Sequence, residues 1–423
     1  MLLGCIADDL TGATDLSLML SRAGLATVQT TGIPPSHFEA SGYDAIVVAL
    51  KSRTIPAADA IAQSLEAADA LLALGAKRFY FKYCSTFDST DEGNIGPVTS
   101  ALMDKLGTDF TIACPAFPAA GRSIYMGNLF VNGVPLAESS MKDHPLTPMR
   151  DSNLMRVLGR QMPGQTVGLV AFPDIEAGPA ATKLALGREK AAGHRVAILD
   201  ALSESHLRTI GAAIADMPLI TGGSGIALGL PQAYQAAGLI KELAAAPTSI
   251  VAPQGRAAIL AGSCSAATRA QVAAAIAAGL PALRLDPLSV ADGKTTSASV
   301  FEWINAQAPG SIPLVYSSDD PANVAAVQER LGRDQAGHLI EQLIADVAVA
   351  LVQDGVTRLI VAGGETSGAV VNALGVKVLA IGPEIAPGVP WCLSRSGPEI
   401  ALALKSGNFG ASDFFLKAWD FLV

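Results

Sequence analysis

Along the whole chain, short apolar runs rich in β-formers alternate with Ala- and Leu-rich stretches at helical spacing, and polar or glycine-bearing junctions separate them. Residues 2–7 predict a strand, 8–12 a junction, and 13–23 a helix closed by Gly24. A second strand is expected over 44–50, followed by Lys51-Ser52-Arg53 and, after Pro56, an Ala-rich helix ending near Gly75. The third, 78–83, runs into Cys84-Ser85-Thr86-Phe87-Asp88-Ser89-Thr90. Between residues 121 and 140 the alternation gives way to a hairpin pattern turning at Asn132-Gly133, a pair that readily supplies two positive φ angles. It resumes with strands expected over 166–171, 195–199 and 218–221.

Residues 231–256 carry Ala, Gly and Pro without a strong strand, which places a linker over 236–255. From Ala257 a second series begins, with strands expected over 257–261, 313–316, 358–361, 376–381 and 400–404. Strand and helix alternating in this way give a mostly parallel sheet with helices on both faces. The expected fold is therefore α/β in two domains, 1–235 and 256–423, each a mostly parallel sheet with helices on both faces.

Composition supports that reading and narrows the chemistry. The 423 residues are 50% apolar, which excludes a chain disordered throughout. A net charge of -9 leaves no basic field for a nucleic-acid partner, so an anionic substrate must meet locally placed cations. The opening residues lack a basic leader, and no apolar run reaches the ~18 residues of a membrane span. A cytoplasmic protein with no membrane partner is expected, and five dispersed cysteines suit reduced thiols. Scattered histidines and the lack of a C-x-x-C pair give no zinc site, and any metal ligands stay unknown.

In an open parallel sheet ligands bind beyond the carboxyl ends of the strands. In the first half those ends carry Asp8 and Asp9, then Lys51 and Arg53, then Lys82, Ser85, Thr86 and Asp88. Cations and carboxylates converging on one edge suit a small, hydroxylated, anionic substrate: a cation would pair its carboxylate, and Asp8, Asp9 or Asp88 would take a hydroxyl proton. Helix capping is the plain alternative for one of the paired aspartates, and solvated loop cations the alternative for Lys51 and Arg53. In the second half three junctions bear glycine: Gly262-Ser263-Cys264-Ser265, the run from Gly363-Gly364-Glu365-Thr366 to Gly368, and Lys405-Ser406-Gly407 to Gly410. Glycine admits close backbone approach and helix-start amides bind phosphate without basic side chains, so these junctions point to a nucleotide. Asp292-Gly293-Lys294-Thr295 lacks the first glycine of a P-loop. Gly223-Ser224-Gly225 with Gly229 is one residue off a dinucleotide fingerprint, which keeps an NAD(P)-dependent sugar-acid dehydrogenase as a distant alternative.

These residues carry a resemblance. Ala7-Asp8-Asp9-Leu10-Thr11-Gly12-Ala13-Thr14-Asp15 resembles the opening of the four-carbon acid sugar kinases, a family with a sugar-binding N-terminal and a nucleotide-binding C-terminal domain. Phe79-Tyr80-Phe81-Lys82-Tyr83-Cys84-Ser85-Thr86-Phe87-Asp88-Ser89-Thr90, continued by Gly93-Asn94-Ile95-Gly96-Pro97, resembles the 3-oxo-tetronate branch. Leu50 to Arg53, Ala362 to Ser367, Ile385 to Trp391 and Leu404 to Gly410 strengthen the match across nearly the whole chain. The resemblance implies ATP-dependent phosphorylation of the C4 hydroxyl of a 3-oxo-tetronate, with Mg²⁺ bridging phosphate oxygens. It places the sugar acid among Asp8, Asp9, Arg53, Lys82 and Asp88; the strand ends add Lys51, Ser85 and Thr86 as substrate-binding candidates, and Asp8 and Asp9 are the catalytic candidates, one of them near the attacking hydroxyl. By the resemblance the nucleotide would meet Ser263, Gly363, Gly364, Glu365, Thr366 and Gly407, and the glycine junctions add Ser265 and Lys405. Ala261 stands where some relatives carry a serine, which favours Ser263 or Ser265 for a hydroxyl contact. A D-threonate or D-erythronate kinase is the nearest alternative and a sugar-acid sensor a remote one; a homodimer stays open.

Overall fold

The computed structural model describes residues 1–144, 147–319 and 329–423. They divide into two units, Met1–Ala246 and Pro247–Val423, at a point inside the expected linker.

In the first unit the strands are β1 (Leu3–Ala7), β2 (Thr27–Thr31), β3 (Ala45–Ala49), β4 (Arg78–Lys82), β5 (Thr111–Cys114), β6 (Arg122–Tyr125), β7 (Asn128–Val131), β8 (Val134–Pro135), β9 (Val167–Val170), β10 (Val196–Leu199) and β11 (Leu219–Gly222). Eight of them form a parallel sheet in the order β2-β3-β1-β4-β11-β5-β10-β9. β1 and β3 are buried along their whole length, as near-continuous apolar strands covered on both faces must be. From β1 the chain winds out to β2 and β3 on one side and then crosses to β4 on the other, so the winding reverses at β1. That reversal opens the crevice in which doubly wound sheets hold their ligands.

The first helix spans Leu10–Arg22, three residues earlier than its apolar pattern predicts, because Asp9 takes the N-cap and accepts from the Gly12 amide. β2 and β5 escape the hydrophobic pattern: Thr27-Val28-Gln29-Thr30-Thr31 is mostly polar although nearly all buried, and Thr111–Cys114 has only four residues. The hairpin segment is a three-stranded antiparallel sheet, β6-β7-β8, with a second turn at Met126-Gly127. Asn132-Gly133 supplies φ of 52° and 80° as expected, but Met126 at φ 48° carries no turn signal in its side chain.

The second unit contains β12 (Arg256–Ala261), β13 (Ala282–Arg284), β14 (Leu314–Tyr316), β15 (Val356–Ala362), β16 (Val378–Ala386), β17 (Val389–Ser394) and β18 (Ala401–Lys405), in the order β13-β14-β12-β15-β18-β17-β16. β12 to β15 and β18 are mutually parallel, whereas β17 runs antiparallel to both its neighbours. β16 and β17 form a hairpin at Pro387-Gly388, where Gly388 adopts φ 81°. Trp391 on β17 is fully buried and donates from Nε1 to Ala418 O at 2.7 Å. The stretch Gln335–Gln353 is long and apolar enough to cross a membrane by composition, yet its Ile344, Val347, Ala348 and Leu351 are buried inside the protein, as in a core helix.

Candidate functional site

The register of the first sheet sets three strand ends side by side: Ala7 of β1 lies opposite Ala49 of β3 and Lys82 of β4. The residues that follow are stitched together by backbone bonds, Asp8 N–H to Lys82 O at 3.0 Å and Ser52 N–H to Asp8 O at 2.9 Å. Arg53 then reaches back as a fork. Its Nε and Nη2 donate to the two carboxylate oxygens of Asp8 at 2.9 and 2.7 Å, and its Nη1 pairs with Asp9 Oδ2 at 2.8 Å. Asp9 therefore both caps the helix and belongs to the charged cluster. Burial pushes the Asp8 carboxyl above the ordinary carboxylate range, against the pull of Arg53 and, more weakly, Lys82. Burial alone would lower Arg53, but the Asp8 and Asp9 carboxylates carry it well above its ordinary value.

Lys82 is 2% exposed, donates from Nζ to Tyr83 O at 2.8 Å, and lies 3.2 Å from where a side chain on Gly12 would begin. Glycine at position 12 thus leaves open the space between Asp9 and the ammonium group. Thr86 is buried and donates to Asp88 Oδ1, while Cys84 Sγ lies 3.0 Å from Thr86 Oγ1. Burial, reinforced by Asp88, pushes the Cys84 thiol up to about 12, so it stays protonated despite Arg53 nearby. Ser85 is half-buried on the same turn, and Lys51 is exposed while Ser52 and Arg53 face inward. The structure thus brings Asp8, Asp9, Arg53 and Lys82 into one cluster and Cys84, Thr86 and Asp88 into another.

Gln161 is a residue with no sequence signal. Its Nε2 donates to Ser89 Oγ at 2.6 Å and Thr90 O at 2.7 Å, and its Oε1 accepts from Gly96 N at 2.9 Å. A Cβ on Gly96 would sit 2.7 Å from that of Gln161, which explains the glycine.

In the second unit Ala261, Ala362 and Lys405 end neighbouring parallel strands in register, so the three glycine junctions leave one edge. Ser265 caps the helix Ala266–Ala277 and its hydroxyl also donates to Gly407 O. Gly363 N–H donates to Lys405 O at 2.7 Å, and Ser263 N–H to Ala362 O at 3.1 Å. Gly363 has φ 133°, a conformation side chains resist, and it opens the helix Gly364–Ala373. The first intrahelical bond is Ser367 N–H to Gly363 O at 2.8 Å, which leaves the amides of Gly364, Glu365 and Thr366 ahead of it, the arrangement that receives anions. Thr366 is buried with its hydroxyl against Gly262 and Gly363, and Glu365 is exposed.

Lys405 is fully buried. Its Nζ donates to Thr268 Oγ1, Ser406 O and Gly407 O, each at 3.0 Å. All three ammonium protons are thereby used within the junction, so Lys405 shapes the loop. Burial pulls its pKa down from 10.5 to about 7. Between those values the folded state holds fewer protons than the unfolded chain, so Lys405 costs stability at low pH and that cost is relieved as pH rises from 7 toward 10.5. Urea unfolding of the protein and of the Lys405→Met variant at several pH values is expected to show the native protein gaining on the variant across this window; parallel curves would contradict the assignment.

The motif near the dinucleotide fingerprint has a packing explanation. A Cβ at Gly223 would lie 2.8 Å from Pro115 O, one at Gly225 would run into Ala116 O, and one at Gly229 into Leu207 O. These glycines admit neighbouring backbone, so nothing in them asks for a pyrophosphate. Lys294, of the failed P-loop, is exposed and paired with Asp292 at 2.9 Å.

Residues 3–230 match the sugar-binding N-terminal domain and residues 258–415 the nucleotide-binding C-terminal domain. A 3-oxo-tetronate kinase of Cupriavidus necator is 52% identical over 99% of this chain and 96% of its own, and one of Burkholderia multivorans 54% identical over the same shares. Among solved structures, a Salmonella typhimurium LT2 protein studied under the provisional name of a tRNA synthase superposes with a TM-score of 0.87 at 44% identity, over 98% of both chains. A Haemophilus influenzae protein gives 0.77 at 44% identity over 99% of both.

Proposed function

The chain belongs to the four-carbon acid sugar kinase family, and we propose that it transfers the γ-phosphoryl group of ATP to the C4 hydroxyl of a 3-oxo-tetronate. The observation that carries the site assignment is the Arg53 fork joining Asp8 and Asp9 beside the buried Lys82, at the point where the first sheet reverses its winding. Every nitrogen of that guanidinium is engaged by the protein's own carboxylates. One N–H on each terminal nitrogen stays beyond those three contacts, and in this reading the substrate carboxylate is met chiefly by Lys82, which has ammonium protons beyond the one given to Tyr83 O. Arg53 holds the two aspartates close against their mutual repulsion.

Phosphoryl transfer asks little covalent work of a protein; it asks for a positioned hydroxyl and neutralised phosphate charge. Asp8 is the base in this reading. Each carboxylate oxygen has a second lone pair beside the one given to Arg53, and burial raises its proton affinity toward that of a working base. The amides of Gly364 to Thr366 and the Ser263 and Gly407 turns receive the phosphates. Mg²⁺, which is ordinarily held by phosphate oxygens, water and one or two carboxylates, would help to neutralise the phosphate charge.

ADP release measured over a panel of four-carbon acids tests the reading. Release with 3-oxo-tetronates and not with threonate or erythronate is expected; release only with the latter pair would move the substrate to the neighbouring branch, and none with any acid would end the kinase assignment. Lys82→Met removes a charge-assisted bond and is expected to raise KM for the acid roughly 10- to 100-fold. KM for ATP should stay unchanged, and an unchanged KM for the acid would free Lys82 of this role.

A further inference from the structure

We infer that two buried side-chain amides, Asn94 in the first unit and Gln271 in the second, are the positioning residues of the two substrate sites, Asn94 for the sugar acid and Gln271 for the nucleotide. The inference rests on the kinase reading.

Asn94 holds the N-cap position of the helix Ile95–Lys105, where an Asn side chain ordinarily bonds its own helix amides. It makes no such bond. Its Nδ2 turns outward to three carbonyls of the turn that bears Arg53: Ser52 O at 2.7 Å, Ile55 O at 2.9 Å and Arg53 O at 3.3 Å. Residues 50–56 belong to no helix or strand, so these carbonyls have no ladder to join. Asn94 is 6% exposed, and its Oδ1 is buried without a hydrogen-bond partner.

Gln271 repeats the arrangement in the other unit. It lies one turn beyond Thr268 on the helix Ala266–Ala277 and is fully buried. Its Nε2 donates to Phe409 O at 3.0 Å, Gly410 O at 3.0 Å and Ala411 O at 3.1 Å, the stretch that follows Gly407. Its Oε1 is likewise buried and unpartnered. Gly410 has φ 83°, and a Cβ there would press on Gln271 Nε2 at 3.1 Å and on the Phe414 ring at 2.8 Å, so the loop is built around the amide.

The chemistry of the acceptors fixes which amide atom faces them, since an oxygen turned toward three carbonyl oxygens would only repel. In each case one NH₂ group gathers an irregular loop while the oxygen behind it goes unsatisfied, a local cost that proteins retain chiefly where a site must be held. Neither amide is placed on a substrate. Asn94 acts through Arg53, which holds Asp8 and Asp9, and Gln271 acts through the turn that carries Gly407.

The test is a double dissociation on the full chain, with kcat and both KM values read by coupled ADP release. Asn94→Asp and Gln271→Glu keep size and exchange the donor for an acceptor. Asn94→Asp is expected to lower kcat/KM for the acid by about 30-fold with KM for ATP held within about twofold. Gln271→Glu is expected to raise KM for ATP by about 10-fold with KM for the acid held within about twofold. Asn94→Ala and Gln271→Ala should repeat the split at smaller amplitude, and they carry the test if the charged variants do not fold. Unchanged parameters, parallel loss of both substrates together with Tm, or failure of the alanine variants to fold would each overturn the inference. A wild-type protein that releases ADP while the variants behave normally removes this inference alone; one that releases none with any acid removes the kinase reading and the inference with it.

Discussion

Asp8→Asn is expected to lower kcat by about 10²- to 10⁴-fold, the usual worth of a positioned general base, while KM for ATP stays near its normal value. Asn keeps one oxygen for Arg53 but cannot take a proton from the sugar hydroxyl. Losing the second half of a buried bidentate pair also costs stability, so kcat should be read well below a separately measured Tm. Asp9→Asn supplies the contrast. Its single amide oxygen can still accept from the Gly12 amide while the contact to Arg53 is lost, and it is expected to keep kcat within about tenfold. If Asp9→Asn were the silent enzyme and Asp8→Asn the active one, the base would be Asp9. Near-normal turnover in both would remove the pair from proton transfer altogether.

Gly363→Ala is the second change of large effect. At φ 133° an alanine is strained whatever the space around it, and its Cβ would lie 2.8 Å from Thr366 Oγ1 and 3.3 Å from Ser263 N. Strain of about 1–3 kcal/mol in so rare a conformation can be relieved only by turning the helix-start amides away from their present aim. KM for ATP is expected to rise by about 10²-fold. The acid site lies in the other unit, so KM for the acid should be unchanged. An ATP KM within about twofold of normal would remove this junction from the nucleotide site.

Much of this arrangement was legible in the sequence because strand ends announce themselves. The runs ending at Ala7 and Ala49 are apolar on both faces and the third is aromatic up to Lys82, so the charged residues at these ends had to emerge together once the strands were neighbours and parallel. What could not be read was the pairing across the edge. Arg53 reads from the sequence as a cation for a substrate carboxylate, and nothing in the spacing of Asp8 and Arg53 tells that the guanidinium also pairs with both aspartates. Lys405 was expected among the nucleotide contacts, and only the structure reveals that its ammonium group is spent on Thr268, Ser406 and Gly407. β2 went unseen because Thr27, Gln29, Thr30 and Thr31 leave no apolar run for the pattern to detect, and the Met126-Gly127 turn because tertiary contacts, the amides of both residues donating to Asp200, overrode turn propensity. Asn94, Gln161 and Gln271 illustrate a general limit. A neutral amide that grips a loop from a distant helix leaves no periodicity and no charge pattern behind it.

Phosphorus NMR of the product shows whether this chain phosphorylates the terminal hydroxyl of a four-carbon oxo-acid. Incubated with MgATP and a 3-oxo-tetronate, the protein should yield a phosphomonoester resonance split into a triplet by the two C4 protons. A doublet would place the phosphate on the C2 hydroxyl and contradict the assigned geometry, and the absence of any new monoester beside unconsumed ATP would contradict the account as a whole.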